Sequence, residues 1–197
     1  MTAPAMDPAV RLMLRAALSV LFGWAAGHKL RDVTAFGEAL ADYDLLTERW
    51  CKPVARLFIA AELCVAGALW IAQCAAVAAL GAAGLLAVYG GAIAVNLVRG
   101  RRDIDCGCTG AAGRQPLRAV LVVRNALLIT AALASALPAT ARVLTWIDGV
   151  TVGFGVVTLM LLYAAADALL AQSPGNRRSL RDRVIESAEE PTGVVNA

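Results

Sequence analysis

The chain has 197 residues, 59% of them hydrophobic and only 17% charged, with a mean hydropathy of +0.67 and a formal net charge of +3. Soluble domains carry about 45–50% apolar and about 25% charged residues. A water-soluble globule, a disordered chain, a coiled coil and a secreted disulfide scaffold are therefore excluded, and a small polytopic membrane protein remains. At roughly 20 residues per crossing helix, there is room for an all-α bundle of about five transmembrane helices and no separate soluble domain. The small positive charge sits in arginines beside apolar segments, which reads as membrane anchoring and not as a nucleic-acid surface.

In chain order, a short leader precedes a first span over residues 10–27, with Arg11 and Arg15 at one end and His28, Lys29 and Arg31 at the other. The leader lacks a small-residue cleavage site, so no cleavable signal peptide is expected. Residues 63–98 contain no charge over 36 positions. One helix of that length would reach about 54 Å, against a hydrocarbon core of about 30 Å. The chain must fold back near Gln73 and Cys74, giving spans over 53–72 and 75–98 with Pro53 in a first helical turn, where its missing N–H costs nothing. Residues 99–118 are polar, basic and Gly-rich and form a loop. Spans over 119–141 and 147–170 complete a transmembrane unit of residues 1–171, followed by a flexible charged tail over 172–197.

Between the first two spans, Val33, Phe36, Leu40, Tyr43, Leu46 and Trp50 recur at helical spacing, with Asp32, Glu38, Asp42, Asp44 and Glu48 between them. This pattern predicts one amphipathic helix over 33–50 lying in the membrane interface. A solvated loop packed loosely on the bundle is the alternative.

The sharpest chemical feature is the run Asp105, Cys106, Gly107, Cys108, Thr109 and Gly110. Glycine tolerates the backbone angles that a tight ring between the two thiols needs, and a strained exposed disulfide is an oxidising, labile one. Arg101 and Arg102 favour thiolate there, while Asp103 and Asp105 oppose it. A redox pair competes with a half metal site and with a structural pair. No second ligand pair with zinc-like spacing exists, so no metal is expected. The chain has five cysteines, an odd number. Cys51 precedes the second span on the face of Cys106 and Cys108 and is a candidate partner for either, or an unpaired interfacial cysteine. Cys64 and Cys74 lie too far across the bilayer.

Glu62 falls near mid-bilayer, where a carboxylate is by default functional or paired. Arg124 and His28 are its candidate partners inside the bundle, either as a polar lock between helices or as a proton relay. Asp167 reads as a snorkelling helix terminus.

Several of these stretches together resemble one family. His28, Lys29, Leu30, Arg31 and Asp32 at the exit of the first span do so, with Ala61, Glu62 and Leu63, Arg99 and Gly100, the Cys106 to Gly110 loop, and Arg124 and Asn125. In order and spacing over about residues 10–140 they are similar to the MauE family of methylamine-utilisation membrane proteins, within a wider MauE/DoxX-like redox-associated group. Thr109 departs from the aromatic residue usual there. The resemblance implies a bacterial inner-membrane protein that helps process, translocate or mature the small β subunit of methylamine dehydrogenase. That subunit is periplasmic, disulfide-dense and carries tryptophan tryptophylquinone. A thioredoxin-like periplasmic protein is the implied second partner. On that reading Cys106 and Cys108 relay thiol–disulfide equivalents, with a quinone as a candidate electron acceptor.

Three functions compete: a thiol–disulfide relay, a non-catalytic assembly or translocation factor with structural cysteines, and a small-molecule carrier. The carrier is weakest, because the chain has no clear internal repeat. Orientation divides two arguments. Of 18 Lys and Arg residues, 13 lie on the face of the cysteine loop and three on the other, which puts that loop in the cytoplasm by the positive-inside rule. The implied role puts it in the periplasm, as does an interfacial segment carrying five carboxylates over residues 32–48, better suited to a leaflet poor in anionic lipid.

Overall fold

The computed structural model describes residues 5–102, Ile104 and residues 117–171. Cys106, Cys108 and the tail over 172–197 lie outside them. The described residues form six helices and no strand: α1 (Pro8–Arg31), α2 (Val33–Asp42), α3 (Glu48–Ala68), α4 (Ala75–Val98), α5 (Ala119–Ala136) and α6 (Trp146–Ala171). Four of them, α1, α4, α5 and α6, are long and apolar enough to cross a membrane. The chain is a polytopic membrane helix bundle.

Local chemistry sets the helix ends. Asp7 caps α1 by accepting from the Ala9 N–H at 2.8 Å, with Pro8 at the first helical position, where a proline suits the dihedral and loses no bond. Asp32 ends α1 and caps α2, accepting from the Ala35 N–H at 2.9 Å. α5 stops at Ala136 and not at 141, because Leu137 precedes Pro138 and is held in the extended region. The uncharged stretch folds back through a turn over residues 69–74.

Two expectations about the α2–α3 region need correction. The amphipathic segment is two helices and not one, broken at residues 43–47, where Asp44 takes φ 51°. Leu46 falls in that break and Trp50 belongs to α3. Consequently α3 begins at Glu48, and Pro53 lies in its second turn instead of at its start. The hairpin is tight: Gly37 of α2 is buried against the backbone and Cγ of Lys52.

At the centre of the bundle, the alanine faces of α4 (Ala78, Ala79, Ala82 and Ala83) meet Leu18 and Phe22 of α1, Ala66 of α3 and Ala132 of α5. Small side chains let helix backbones approach closely, which is how helices associate in lipid. At Gly90 a Cβ would stand 3.2 Å from the Asn125 Cβ. α6 lies at the edge, with little of it covered. It runs parallel to α1, and Gly155 leaves room for Met13, whose Sδ stands where a Cβ would be.

The four tryptophans all face outward. Trp70 and Trp146 mark the end of the bundle where α1 and α6 start, and Trp24 and Trp50 lie toward the other, which fits aromatic belts at the two membrane interfaces. At the first end, Ser19 donates to the Ala66 carbonyl and accepts from the Trp70 indole, each at 2.8 Å. Arg15 and Arg11 donate to the carbonyls of Ser135 and Leu137, placing positive charge at the C-terminus of α5, where the helix dipole favours it. Arg142 binds Asp7 and Asp148 together. Met6 pairs with the chain around Ala139 in an isolated parallel bridge.

Candidate functional site

Glu62 is paired with Lys29. Both are almost wholly buried, at 1% and 6% exposure. The Lys29 ammonium donates to Glu62 Oε1 and, at 3.2 Å, to the Tyr89 hydroxyl, which itself donates to the same Oε1 at 2.6 Å. Three helices thus contribute one side chain each: α1 the cation, α3 the carboxylate and α4 the phenol. The Lys29 Nζ also stands 4.7 Å from the centroid of the Phe36 ring and 4.6 Å from that of Tyr89, within range of cation–π attraction. A buried ion pair survives desolvation only when its geometry is good and further hydrogen bonds support it; Tyr89 bonds both partners on the Oε1 side, while Glu62 Oε2 is buried without a hydrogen-bond partner.

The arrangement follows from helical phase. In α1 the buried residues Ser19, Phe22, Ala26 and Lys29 recur at spacings of three and four. In α3 the buried stripe is Cys51, Ala55, Ile59, Glu62 and Ala66. Lys29 was expected to flank a span ending at 27. Because α1 continues to Arg31, Lys29 is instead the inward residue of its last turn.

The expected partners of Glu62 go elsewhere. Arg124 of α5 bonds Asp167 of α6 at 2.6 Å and lies 5.5 Å over the Tyr163 ring, since its helix position faces α6 and not α3. Asp167 is accordingly an ion-pair partner and not a plain terminus. His28 stacks edge-on against Trp24 at a centroid distance of 5.0 Å. Cys51 is buried in the first turn of α3, its thiol 3.7 Å from the Thr47 carbonyl, while Cys64 and Cys74 are exposed.

Beside the ion pair lies a half-open cavity of about 340 Å³ with almost wholly apolar walls. Lys29 and Tyr89 are among its lining residues. Phe36 of α2, Tyr43, Leu45 and Leu46 of the following break, Phe58 of α3 and Ile93 of α4 also line it. Phe58 and Tyr89 meet at 5.2 Å between ring centroids. The sequence reading found Glu62 but missed Lys29, Tyr89 and this aromatic enclosure. The three-four spacing from Ser19 to Lys29 was the available signal.

The same region holds the ends of the cysteine loop. The Leu117 N–H donates to the Arg102 carbonyl at 3.1 Å and the Arg101 N–H to the Asn96 carbonyl at 3.0 Å. Arg99 donates to the Asp44 carbonyl, and Arg101 pairs with the Asp44 carboxylate at 3.4 Å. Beneath, Ile93, Leu117 and Leu121 form a small cluster with Tyr43 and Ile104 packed against it. Tyr43 and Ile93 therefore belong both to the cavity wall and to the support of the loop. Among the described residues no group of His, Cys, Asp and Glu side chains is placed to hold a metal.

A helical membrane bundle with a buried ion pair hydrogen-bonded to a tyrosine and an apolar cavity beside it is the class of protein this chain defines. The family described as methylamine utilisation protein MauE matches residues 7–138. The methylamine utilization protein MauE of Paracoccus denitrificans is 38% identical over 165 residues, covering 83% of this chain and 88% of its own length. The Paracoccus versutus protein of the same name is 41% identical over 164 residues, with the same coverages. That of Methylorubrum extorquens is 36% identical over 160 residues, 81% of each chain. No solved structure matches. The chain belongs to the MauE family of methylamine utilisation proteins.

Proposed function

We propose that this chain supports oxidative maturation of the disulfide-dense small β subunit of methylamine dehydrogenase, passing thiol–disulfide equivalents through Cys106 and Cys108 in the bacterial inner membrane. A thioredoxin-like periplasmic protein is the partner on the aqueous side, and the cysteine loop faces the periplasm. The reading rests on family membership, and one observation carries it to the cysteines. Both ends of their loop are held by backbone bonds at Asn96 and Arg102, directly above the wall shared with the cavity. Thiol–disulfide exchange runs through a mixed disulfide and depends on access to the attacking thiol, which a loop anchored at its described ends at the edge of the bundle would serve.

The test is the double substitution Cys106→Ser/Cys108→Ser in a cell that assembles the dehydrogenase. Loss of disulfides from the small subunit, read by mass shift after thiol alkylation, is the expected result. Full disulfide formation would overturn the relay and leave a non-catalytic assembly factor. A membrane-impermeant maleimide on intact spheroplasts, after mild reduction, tests the orientation: Cys106 or Cys108 is labelled without lysis if the loop is periplasmic.

A further inference from the structure

We infer that the cavity between α2, α3 and α4 is a binding site for the ring of a lipid-soluble quinone, with Lys29 as the donor to a ring carbonyl. The proposal rests on the relay reading above, for which a quinone is the candidate electron acceptor.

Three observations define the occupant. The first is size and lining. About 340 Å³ falls in the range of small-molecule sites, which are mostly apolar with a few placed polar groups. Here Phe36, Tyr43, Phe58 and Tyr89 are among the lining residues, and planar rings pack against aromatic rings in offset or edge-on geometry.

The second is the polar group. An ammonium has three donors. Lys29 gives one to Glu62 and one to Tyr89. The third has no carbonyl, carboxylate or hydroxyl acceptor among the described residues, where the ammonium lies against the Phe36 and Tyr89 rings, and Lys29 is one of the residues that line the cavity.

The third is charge. The Lys29–Glu62 pair is already neutral as a unit. An anionic occupant, such as a fatty-acid carboxylate, would bury a net negative charge, which is strongly disfavoured. A cation would meet the Lys29 ammonium. A neutral carbonyl satisfies the open donor without adding charge. A saturated acyl chain fills the volume but leaves that donor unanswered and makes nothing of the rings.

The cavity wall also adjoins described residues that flank the cysteine loop. Tyr43 and Ile93 of the cavity wall pack with Ile104 and Leu117, at the two ends of the cysteine loop. In the coupled step the Cys106 and Cys108 thiols lose two electrons and two protons as the S–S bond forms. The quinone takes up both electrons and both protons and becomes the hydroquinone.

The experiment measures binding by the full chain in detergent, using isothermal titration calorimetry with a decyl-substituted dimethoxy-methyl-benzoquinone. A matched probe with the same tail and no ring serves as the control. Saturable binding of the quinone and none of the control is expected. Ala92→Phe and, independently, Ala39→Phe fill the cavity without touching the ion pair. Each should weaken binding by about tenfold or more, with the melting midpoint reported alongside. Cys106→Ser/Cys108→Ser should bind as the unsubstituted chain does. Equal binding of the ringless probe, or undiminished binding by both filled variants, overturns the site in favour of a lipid tail. Because the double-serine chain is tested for binding and not for maturation, failure of the cavity and failure of the relay are read separately.

Discussion

Among the described residues two ion pairs join helices, and they sit in different surroundings. Lys29–Glu62 is closed in by α1, α3, α4 and the Phe36 ring of α2, with side chains 5% and 1% exposed. Arg124–Asp167 joins α5 to the peripheral α6, with side chains 12% and 17% exposed. The first holds together the helices that carry the cavity. The second fastens a helix whose outer surface is almost entirely uncovered. Burial of a charge is costly in proportion to how far water is excluded, so the two pairs differ in what their loss does.

The largest effect is expected at the centre. Glu62→Leu leaves the Lys29 charge buried without its carboxylate and should destabilise the folded bundle by about 3–5 kcal/mol, read by unfolding in mixed micelles. It should still insert, because removing a central carboxylate favours partitioning by about 2.5–3.5 kcal/mol on the scale for Asp, yet it should fail in maturation of the dehydrogenase subunit. Lys29→Met/Glu62→Leu should recover most of the stability. If the single and double variants unfold alike, the pair is not coupled.

Next comes the seam between α1 and α6. Gly155→Leu forces a side chain into the place of Met13 Sδ and should cost about 1–3 kcal/mol by overpacking. Met13→Ala should relieve it in the double variant, with α1, α3 and α4 unaffected in a cysteine cross-linking assay. The peripheral pair should matter less. A double-mutant cycle on Arg124→Met and Asp167→Asn should give a coupling of about 1 kcal/mol, in the range measured for polar contacts between membrane helices. A coupling equal to that of Lys29 with Glu62 would erase the distinction between centre and edge.

The smallest effect belongs to the exposed clasp at the start of α6. The Arg142 guanidinium holds the Asp7 carboxyl below its ordinary value of 3.8, with the Ala9 N–H adding to the effect. A lowered folded value means the clasp contributes its full stability above 3.8 and loses it as pH falls through that lowered value. The melting midpoint should therefore drop on acidification below about pH 4, and Asp7→Asn should flatten that part of the profile. An unchanged profile would show that the clasp adds no stability.

The all-helical membrane architecture was legible because apolar length and charge spacing are one-dimensional signals. The site was only half legible. Glu62 stood out because a carboxylate in an apolar segment is unusual, but its partner depended on where α1 ends and on the angle at which Lys29 leaves the helix. A lysine near a span end reads as an anchor until the phase from Ser19 through Phe22 and Ala26 is followed. Asp167 was misread for the same reason: proximity to an end says nothing about what a neighbouring helix presents. Tyr89 and the cavity arise from four segments at once, and no local pattern encodes a space. The break at residues 43–47 was hidden because hydrophobic spacing carries straight through it, whereas Asp44 turns the backbone to φ 51°.

The bridge between Met6 and Ala139 carries a consequence for synthesis. The Met6 N–H donates to the Pro138 carbonyl at 2.9 Å, and the Thr140 N–H donates to the Met6 carbonyl at 2.9 Å. The two strands of this latch are more than a hundred positions apart in the chain. At about 5–20 residues per second, the ribosome delivers the second strand on the order of ten seconds after the first. During that interval α1 is already available to the membrane, while the segment before it has nothing to hold. Met6 is therefore held only once the segment that follows α5 has been made, one step before α6 can pack on α1.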